Sequence, residues 1–412
     1  MKHILFLSDI HYKGNSDVSE ELVIGSFWKD LQSSLEGIDF KDRYCIIAGD
    51  ISCYGTHDNI QKFASNFHKK LIEMIPSNHV AYISCNHDLN RYYIEKHFDS
   101  YQSEELILQK YEKEEEFDEK VKENFVLGKF KYFKEFCEDR ANIEGFNLAG
   151  YEYKISPDVS VYLLNTALLS RGGLNDYKDS RTLRIQLTEL RSWVLANEKR
   201  RKILVMHHPI QELTEYAQRE IEAMINGGQL DFVVSGHTHD VAEHPRRAEA
   251  GARFITLPPL FESRKSMNGY MLMSIGDQQE KLSLRYRVWS HNNSKFLVGA
   301  QLTGNDSGII EYLPSDATED FVGRTLYNNL QKALNIYGLH PTWRNRVCIE
   351  SPFSRGEEKV KNFDYVDVLT MTDNLQIQAP SQFGLTSYAH YLSYVAWKNY
   401  RLPYVYHNLK DL

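Results

Sequence analysis

Five short segments rich in aspartate, asparagine and histidine constrain the fold of this 412-residue chain, because each follows a run of apolar, often β-branched residues. Such runs predict buried β-strands. Polar residues at the ends of successive strands predict an α/β sheet whose carboxyl edge carries a site, since α/β folds place their sites at that edge. In chain order the segments are Asp9-Ile10-His11, Gly49-Asp50, Asn86-His87-Asp88, His207-His208-Pro209 and Gly236-His237-Thr238-His239.

The side chains of these segments are suitable ligands for divalent cations. Carboxylate, amide and imidazole groups suit borderline ions such as manganese, iron and zinc. In the Asp-x-His and His-x-His segments, side chains one residue apart can point to the same side of an extended chain. Seven ligands suit two ions roughly 3.5–4 Å apart that share a carboxylate, and Asp50, which follows a glycine, is the expected bridge. The candidate ligands are Asp9, His11, Asp50, Asn86, His207, His237 and His239.

The order of the five segments resembles that of the calcineurin-like metallophosphoesterase superfamily, whose pattern is D-x-H, GD, GNH[DE], H and GHxH. The resemblance implies an α/β sandwich of two mixed β-sheets flanked by helices. Of the adjacent pair His207 and His208, the family pattern favours His207 as the ligand. The implied ligand sets are Asp9, His11, Asp50 and His239 for one ion, and Asp50, Asn86, His207 and His237 for the other.

The third segment supplies two further residues with implied catalytic roles. By the resemblance, His87 is not a ligand and either protonates the leaving oxygen or stabilises the pentacoordinate phosphorus. Asp88 is implied to orient His87, as carboxylates orient imidazoles around metal sites. Cys85 stands where the family usually has glycine, which adds a thiol beside the ions as a potential soft ligand.

The implied activity is hydrolysis of a phosphoester with two divalent ions, Mn²⁺ first, with Fe, Zn, Ni or Mg as alternatives. Nucleases of the SbcD type and cyclic-nucleotide phosphodiesterases share the GHxH ending, so we expect a phosphodiester substrate in DNA, RNA or a nucleotide. A protein phosphatase is less favoured, because Asp50 is followed by Ile51-Ser52 and the third segment ends in Asp88. The alternatives are a phosphatase or cyclic-nucleotide phosphodiesterase, and a regulatory metal-binding module without activity.

Composition limits the partners and the compartment. A formal net charge of −8 argues against a uniformly basic nucleic-acid-binding surface. The five cysteines are scattered and lack CxxC spacing, which predicts reduced thiols in a cytoplasmic protein. Because there is no signal-peptide pattern and no apolar run long enough to cross a bilayer, we expect no membrane association. Assembly into a homo-oligomer is compatible with the sequence.

The phosphoesterase domain is predicted to span residues 1–295 and to contain a helical insert at 101–140. The insert mixes lysine and glutamate around apolar positions, which predicts exposed amphipathic helices above the site. A solvated face is one interpretation of this charge pattern, and a lid or partner surface is the other. Arg171 and Arg181 flank a glycine-bearing loop and are candidates to bind a substrate phosphate as bidentate donors.

The remaining residues predict a mostly helical linker, 296–365, and a smaller C-terminal α/β extension, 366–412. The extension resembles the strand–loop–helix of a Walker A motif in STAND-type P-loop NTPases, with Gly384 and Thr386 as nucleotide-binding candidates. Ala379 replaces the first glycine of that motif and Leu385 replaces its lysine. The resemblance implies a damaged sensor module joined to an effector enzyme of bacterial anti-phage defence. An ordinary strand–turn–helix is the alternative.

Overall fold

The computed structural model of this chain divides into two compact units, Met1–Ala317 and Thr318–Leu412. In the second unit the described residues form an antiparallel pair of short strands, Phe353–Arg355 and Glu358–Val360. The predicted nucleotide-binding residues Gly384 and Thr386 lie outside the described residues. The structure describes residues 1–14, 18–93, 128–170, 172, 181, 183–197, 200–226, 228–239, 246–247, 252–262, 267–276, 282–312, 353–355 and 358–360.

The first unit contains the strands and helices that position the candidate ligands. Its strands are β1 (Lys2–Leu7), β2 (Arg43–Ala48), β3 (Val80–Ile83), β4 (Gly150–Ser156), β5 (Val159–Leu164), β6 (Arg201–Met206), β7 (Phe232–Ser235), β8 (Arg246–Arg247), β9 (Arg253–Thr256), β10 (Gly269–Ile275), β11 (Leu282–Ser290), β12 (Lys295–Val298) and β13 (Ile309–Tyr312). Its α-helices are α1 (Val18–Ser34), α2 (His57–Lys62), α3 (Lys69–Met74), α4 (Lys131–Glu135), α5 (Leu187–Ala196), α6 (Glu215–Asn226) and α7 (Ala300–Thr303). A π-helical turn, Phe63–His68, joins α2 to α3, and another, Phe136–Arg140, follows α4.

The strands form two mixed β-sheets. The first has the order β12-β11-β10-β1-β2-β3, with β13 also pairing with β11; β1, β2 and β3 are parallel, and the other strands pair in antiparallel fashion. The second has the order β4-β5-β6-β7-β9-β8, in which β5, β6, β7 and β9 are parallel. Two mixed sheets flanked by helices confirm the predicted fold class.

The apolar residues of the central strands divide between the two faces of each sheet. In β1, Ile4 and Phe6 belong to the core between the sheets, where they meet Val161 and Val205 of the second sheet. Their neighbours Leu5 and Leu7 face a second core with helix α1. Because successive strand residues point to opposite faces, a continuous apolar run such as β1 is the pattern of a strand covered on both sides. A third core lies between the second sheet and helices α5 and α6.

The described end of the insert contributes apolar side chains to the core and charged side chains to the surface. Phe133 in α4 and Phe136 in the π-helical turn are buried, and the Phe136 ring lies 5.0 Å from that of Tyr82 and 5.7 Å from that of Phe63. The side chains of Lys131 and Glu135 on the other face of α4 are 61% and 47% exposed, so this helix has one apolar and one charged face. The lysine and glutamate run of the insert, residues 112–116, lies outside the described residues.

The first unit extends past the boundary predicted at residue 295. Strands β12 and β13 lie in the region predicted as a mostly helical linker, 296–365, and both pair with β11. A turn at His291–Ser294 joins β11 to β12, and Ser294 has a left-handed φ of 47°. Asparagine and serine in this turn are a hairpin signal, and the buried pair Trp289 and Phe296 fixes the register of the hairpin.

Among the described residues, no helix is long and apolar enough to cross a membrane.

Candidate metal centre

The five polar segments meet at one end of the two sheets. Asp9, Asp50 and Asn86 follow the parallel strands β1, β2 and β3 of the first sheet, whereas His207 and His237 follow β6 and β7 of the second. Within the second sheet, the backbone N–H of Gly236 donates to the carbonyl of His207 at 3.0 Å. The two sheets are joined at this end by His207, whose Nδ1 donates to the carbonyl of Ala48 at 2.7 Å.

Five of the seven candidate ligands have a left-handed backbone conformation. Residues other than glycine rarely adopt positive φ, and each instance costs on the order of 1–3 kcal/mol. Such strain occurs where the surrounding structure enforces it, and it clusters at functional sites. The turns that bring the ligands together therefore depart from the chain's local preferences. The residues are Asp9 (φ 51°), His11 (46°), Asp50 (55°), His237 (69°) and His239 (53°).

A glycine is required before Asp50 because the neighbouring side chains leave no space for a Cβ atom. Gly49 has a φ of 92°, and a Cβ atom there would lie 2.6 Å from Nδ1 of His207 and 2.7 Å from Cβ of Cys85. Both neighbours are fully buried, so neither has space to move away. The Gly-Asp pair is thus a consequence of close packing between the end of β2 and the His207 ring.

The Asp9 carboxylate lies at the centre of the cluster. Its Oδ2 accepts hydrogen bonds from Ser8 Oγ (2.5 Å) and from the backbone N–H of His237 (3.2 Å). These contacts direct Oδ1 toward three imidazoles. Nε2 of His239 lies 2.9 Å from Oδ1, Nε2 of His207 lies 3.8 Å away, and Nε2 of His11 lies 3.9 Å away.

The Asp50 carboxylate connects the same imidazoles to the third segment. Its Oδ2 lies 3.4 Å from Nε2 of His207 and 3.7 Å from Nε2 of His11. Its Oδ1 accepts a hydrogen bond from the backbone N–H of His87 at 3.1 Å. Asp50 therefore lies between the two implied ligand sets, which is where a bridging carboxylate is needed.

The electrostatics of the cluster favour a bound cation. Burial alone raises the pKa of the Asp9 and Asp50 carboxyls, but attraction to His207 and the other imidazoles lowers the pKa of both below the usual range. Burial lowers the pKa of His207, but Asp50 and Asp9 outweigh it and raise that pKa to about 9. Two ionised, buried carboxylates thus attract positive charge, and a divalent ion supplies it in place of ring protons.

The spacing of the donor atoms fits metal ions. Ligand atoms bound about 2.0–2.2 Å from one ion lie roughly 3 Å apart when they are neighbours and about 4 Å apart when they are opposite. The carboxylate-to-imidazole separations around Asp9 and Asp50, from 2.9 to 3.9 Å, cover that range. The triads Asp9–His11–His239 and Asp9–Asp50–His207 each have ligand atoms within 4.8 Å of one another. The residues therefore fit a two-ion site.

Asn86, Cys85 and His208 have other contacts. The side-chain oxygen of Asn86 accepts a hydrogen bond from Cys85 Sγ at 2.6 Å, so this candidate ligand contacts the thiol. Burial, together with Asp50 and Asp88, raises the pKa of the Cys85 thiol. Nδ1 of His208 lies 2.7 Å from Thr166 Oγ1, and its Nε2 has no hydrogen-bond partner in the described part of the chain.

The third segment places His87 beside the cluster. Its ring lies edge-on to that of His11, with centroids 4.8 Å apart, and Nδ1 lies 3.1 Å from the carbonyl of Cys53. A proton on Nδ1 donates to that carbonyl, which leaves Nε2 for chemistry. The His87 side chain is half-buried, so a substrate can approach it.

Asp88 has a different role from the one predicted. Its carboxylate is fully buried and accepts backbone N–H groups of Asp50 (3.0 Å), Ser52 (3.2 Å) and Cys85 (3.1 Å). It therefore stabilises the loops after β2 and β3, whereas the carbonyl of Cys53 contacts the His87 ring. Asp88 supports the position of His87 through the backbone, and the predicted direct contact with the ring is corrected.

The arginine that lies beside His87 is Arg91, and it is not one of the two arginines predicted to bind substrate. Arg171 lies outside the described residues, and Arg181 is exposed with a left-handed φ of 63°. Arg91, four residues after His87, places Nη2 3.4 Å from Nδ1 of His87. Its Nε is buried without a hydrogen-bond partner among the described residues. In the sequence, Arg91 is marked by its position shortly after Asn86-His87-Asp88.

Two glutamates that the sequence did not single out contact the histidines of the last segment. Glu212 Oε2 lies 3.3 Å from Nε2 of His237. Glu262 pairs with Nδ1 of His239. Neither glutamate lies in a recognisable sequence motif. Each comes close to its histidine through the folding of the chain, which the sequence alone does not reveal.

Comparison with protein families identifies the chain. A family model described as "Calcineurin-like phosphoesterase" matches residues 2–241, which include all seven candidate ligands. The chain belongs to the calcineurin-like phosphoesterase family. This membership confirms the resemblance at the level of the family and implies a phosphoester substrate. A search of the curated proteins found no match.

Several solved structures are similar to this calcineurin-like phosphoesterase. A dimetal phosphatase from Danio rerio is 12% identical, with 72% of this chain and 98% of that chain covered and a TM-score of 0.40. Vacuolar Protein Sorting 29 from Cryptosporidium parvum is 13% identical, with 76% and 98% covered and a TM-score of 0.33. An archaeal phosphodiesterase is 14% identical, with 69% and 99% covered and a TM-score of 0.32.

Proposed function

We propose that this calcineurin-like phosphoesterase is a two-ion phosphodiesterase that acts on nucleic acid. The observation that carries the proposal is the convergence of Asp9, Asp50 and four candidate imidazole ligands beside His87, at donor spacings that fit divalent ions. Two bound ions, with Mn²⁺ the first choice, would supply an activated water and neutralise charge in the transition state.

The residues of the chain supply the remaining steps. His87 donates a proton from Nε2 to the departing oxygen, and the carbonyl of Cys53 orients its ring through Nδ1. The backbone N–H of His87 donates to Asp50 Oδ1, which holds His87 beside the carboxylate that would bridge the two ions. Asp88 accepts backbone N–H groups from both loops, which holds the acid close to the ligands.

A phosphodiester and a polymeric substrate are supported by the surroundings of the cluster. The guanidinium of Arg91, whose Nη2 lies 3.4 Å from Nδ1 of His87, supports binding of a phosphate that carries one negative charge, as a diester does. The His11, His237 and His239 side chains are 13%, 28% and 25% exposed within the described part of the chain, which supports access of a substrate from this side of the cluster. A phosphatase and a cyclic-nucleotide phosphodiesterase are the alternatives within the family.

The place of this activity in the cell is proposed from sequence alone. The resemblance of residues 366–412 to a damaged STAND-type P-loop module supports an effector role in bacterial anti-phage defence. The second unit, Thr318–Leu412, contains that segment.

The substrate proposal is tested by incubating the full chain with Mn²⁺ and single-stranded DNA, double-stranded DNA, RNA or cyclic AMP. We expect cleavage of at least one of the three polymers and loss of that cleavage in EDTA. Hydrolysis of cyclic AMP without cleavage of any polymer would establish the cyclic-nucleotide alternative instead. Hydrolysis of none of the four would contradict the diesterase proposal.

Arg91→Met is expected to raise KM for a phosphodiester by about 10- to 100-fold, because a hydrogen bond to a charged group contributes about 1.5–3 kcal/mol. We expect Arg91→Lys to recover part of this loss, since lysine keeps the charge but not the planar fork. The comparison is Arg181→Met, at the exposed arginine predicted from the sequence. Steady-state kinetics at saturating Mn²⁺ show which of the two arginines, Arg91 or Arg181, binds the substrate phosphate. An unchanged KM in Arg91→Met, with a raised KM in Arg181→Met, would assign the phosphate to Arg181.

A further inference from the structure

We propose that Glu212 and Glu262 are positioning residues, each of which fixes one histidine of the last segment toward a different metal ion. The inference rests on the two-ion site of the proposed function. It adds two residues that the family pattern does not contain, and it assigns each to one ion.

His237 presents its two ring nitrogens to different surroundings. Nδ1 faces the cluster, 3.2 Å from Nε2 of His207, which belongs to the same implied ligand set. Nε2 faces outward, 3.3 Å from Glu212 Oε2. A ligating histidine usually donates its other ring N–H to a carboxylate or carbonyl, which fixes the tautomer and the ring orientation. Glu212 is therefore placed to keep the lone pair of His237 on Nδ1.

His239 uses the opposite nitrogens. Nε2 faces the cluster, 2.9 Å from Asp9 Oδ1, and Nδ1 pairs with Glu262. The two histidines thus need opposite tautomers although they are only two residues apart. A free imidazole interconverts easily between its two tautomers. Two separate carboxylates, one for each histidine, therefore fix the two different tautomers.

The backbone holds Glu262 beside the strand end that carries Asp9. Leu260 N–H donates to the carbonyl of Ser8 at 2.8 Å, and Phe261 N–H donates to that of Asp9 at 3.2 Å. Asn268, which is 2% exposed, accepts from the Glu262 backbone N–H and donates to its carbonyl. The position of Glu262 is therefore coupled directly to that of the ligand Asp9.

Glu212 is held by the segment that carries His207. It ends the 3₁₀ turn Ile210–Glu212, which follows His207-His208-Pro209 directly, and its N–H donates to the carbonyl of Pro209 at 3.0 Å. The structure therefore links each glutamate to a residue of the same implied ion set as its histidine, His207 for Glu212 and Asp9 for Glu262.

A competing assignment for Glu212 comes from a second set of groups. His208, Glu212 and His237 have ligand atoms within 4.8 Å of one another, and Nε2 of buried His208 has no hydrogen-bond partner among the described residues. In that arrangement Glu212 would be a ligand of an additional ion. The number of ions per chain separates the two assignments.

The test counts Mn²⁺ ions in the full chain with Glu212→Gln, Glu262→Gln and both together. Metal-free protein is equilibrated at the lowest free Mn²⁺ at which the wild type holds two ions, and bound metal is measured by mass spectrometry. We expect about one ion in each single variant, near zero in the double variant, and recovery of each lost ion at about 10- to 100-fold higher free Mn²⁺. Glutamine keeps the size of the side chain and removes its charge.

The control is Glu220→Gln, because Glu220 has similar side-chain exposure, 30% against 23% and 32%, and pairs with Arg191 away from the cluster. We expect it to bind two ions as the wild type does. Two ions at wild-type affinity in both single variants would overturn the proposal. Loss of both ions in one single variant, together with a lower melting temperature of its metal-free protein, would also overturn the proposal, because this result indicates a folding defect. Three ions in the wild type and two in Glu212→Gln would make Glu212 a ligand and overturn its positioning role.

Failure of the proposed function is distinguishable from failure of this inference. A chain that binds two ions and cleaves no phosphoester refutes the activity, yet the ion counts of the glutamate variants still test the positioning roles. Conversely, a phosphodiesterase with unaltered ion counts in these variants keeps its activity and loses the positioning roles.

Discussion

His87→Ala is expected to lower kcat for a phosphodiester by about 100- to 10,000-fold while the chain still binds two metal ions. The loss is that of a general acid positioned at the leaving oxygen. The ions are expected to remain because the hydrogen bond from His87 to Asp50 comes from the backbone N–H, which alanine keeps. Steady-state kinetics and metal analysis of the same preparation give the two required readouts.

His79→Ala is the matched control for His87→Ala. His79 also places Nδ1 on a backbone carbonyl, that of Arg43 at 3.0 Å, but its ring stacks on Tyr44 outside the cluster. We expect wild-type kcat in this variant. If His87→Ala instead loses its ions, His87 is a ligand and not the acid. If it keeps its ions and its kcat, the proton comes from another group.

Asp50→Ala is expected to remove both ions and to lower kcat/KM by at least about 1,000-fold. One carboxylate lies between the two implied ligand sets, so its loss affects both ions, and the ions supply several kcal/mol of charge stabilisation in the transition state. Removal of this buried charge also leaves His207 with Asp9 as its carboxylate partner at 3.8 Å. Metal analysis after Mn²⁺ loading and diesterase kinetics provide the measurement.

Asp30→Ala is the control for the loss of a hydrogen-bonded carboxylate elsewhere in the first unit. Asp30 pairs with Arg287 and accepts a hydrogen bond from Tyr270 at 2.6 Å, outside the candidate centre. We expect this variant to be less stable to unfolding but to bind two ions. Retention of two ions by Asp50→Ala would show that Asp50 is not the bridge. Retention of one would restrict it to a single ion.

The strand-end segments were predictable from the sequence because their signals are local. A buried parallel strand such as β1 appears as an unbroken apolar run, and Asp9 and His11 follow it directly. The parallel connections then bring the ends of β1, β2 and β3 to one edge without any further information. The family pattern extended the same argument to the second sheet.

Contacts between distant segments were not predictable in the same way. Glu262 reaches His239 because residues 260–261 hydrogen-bond to the end of β1, more than 250 positions earlier in the chain. Asp88 was expected beside the His87 ring because the two are adjacent, but its burial brings three backbone N–H groups to the carboxylate first. In the insert, Phe133 and Phe136 stand among charged residues, which obscured their place in the core.

The central claim, a two-ion phosphodiesterase, is tested most directly by the ratio of kcat/KM for bis(p-nitrophenyl) phosphate to that for p-nitrophenyl phosphate, measured with the Mn²⁺-loaded full chain. Both substrates release the same chromophore, so the ratio compares diester and monoester at one site. We predict a ratio above one, with both activities lost in Asp50→Ala. Hydrolysis of the monoester alone would contradict the diesterase assignment, and diester hydrolysis that persists in Asp50→Ala would contradict the two-ion site.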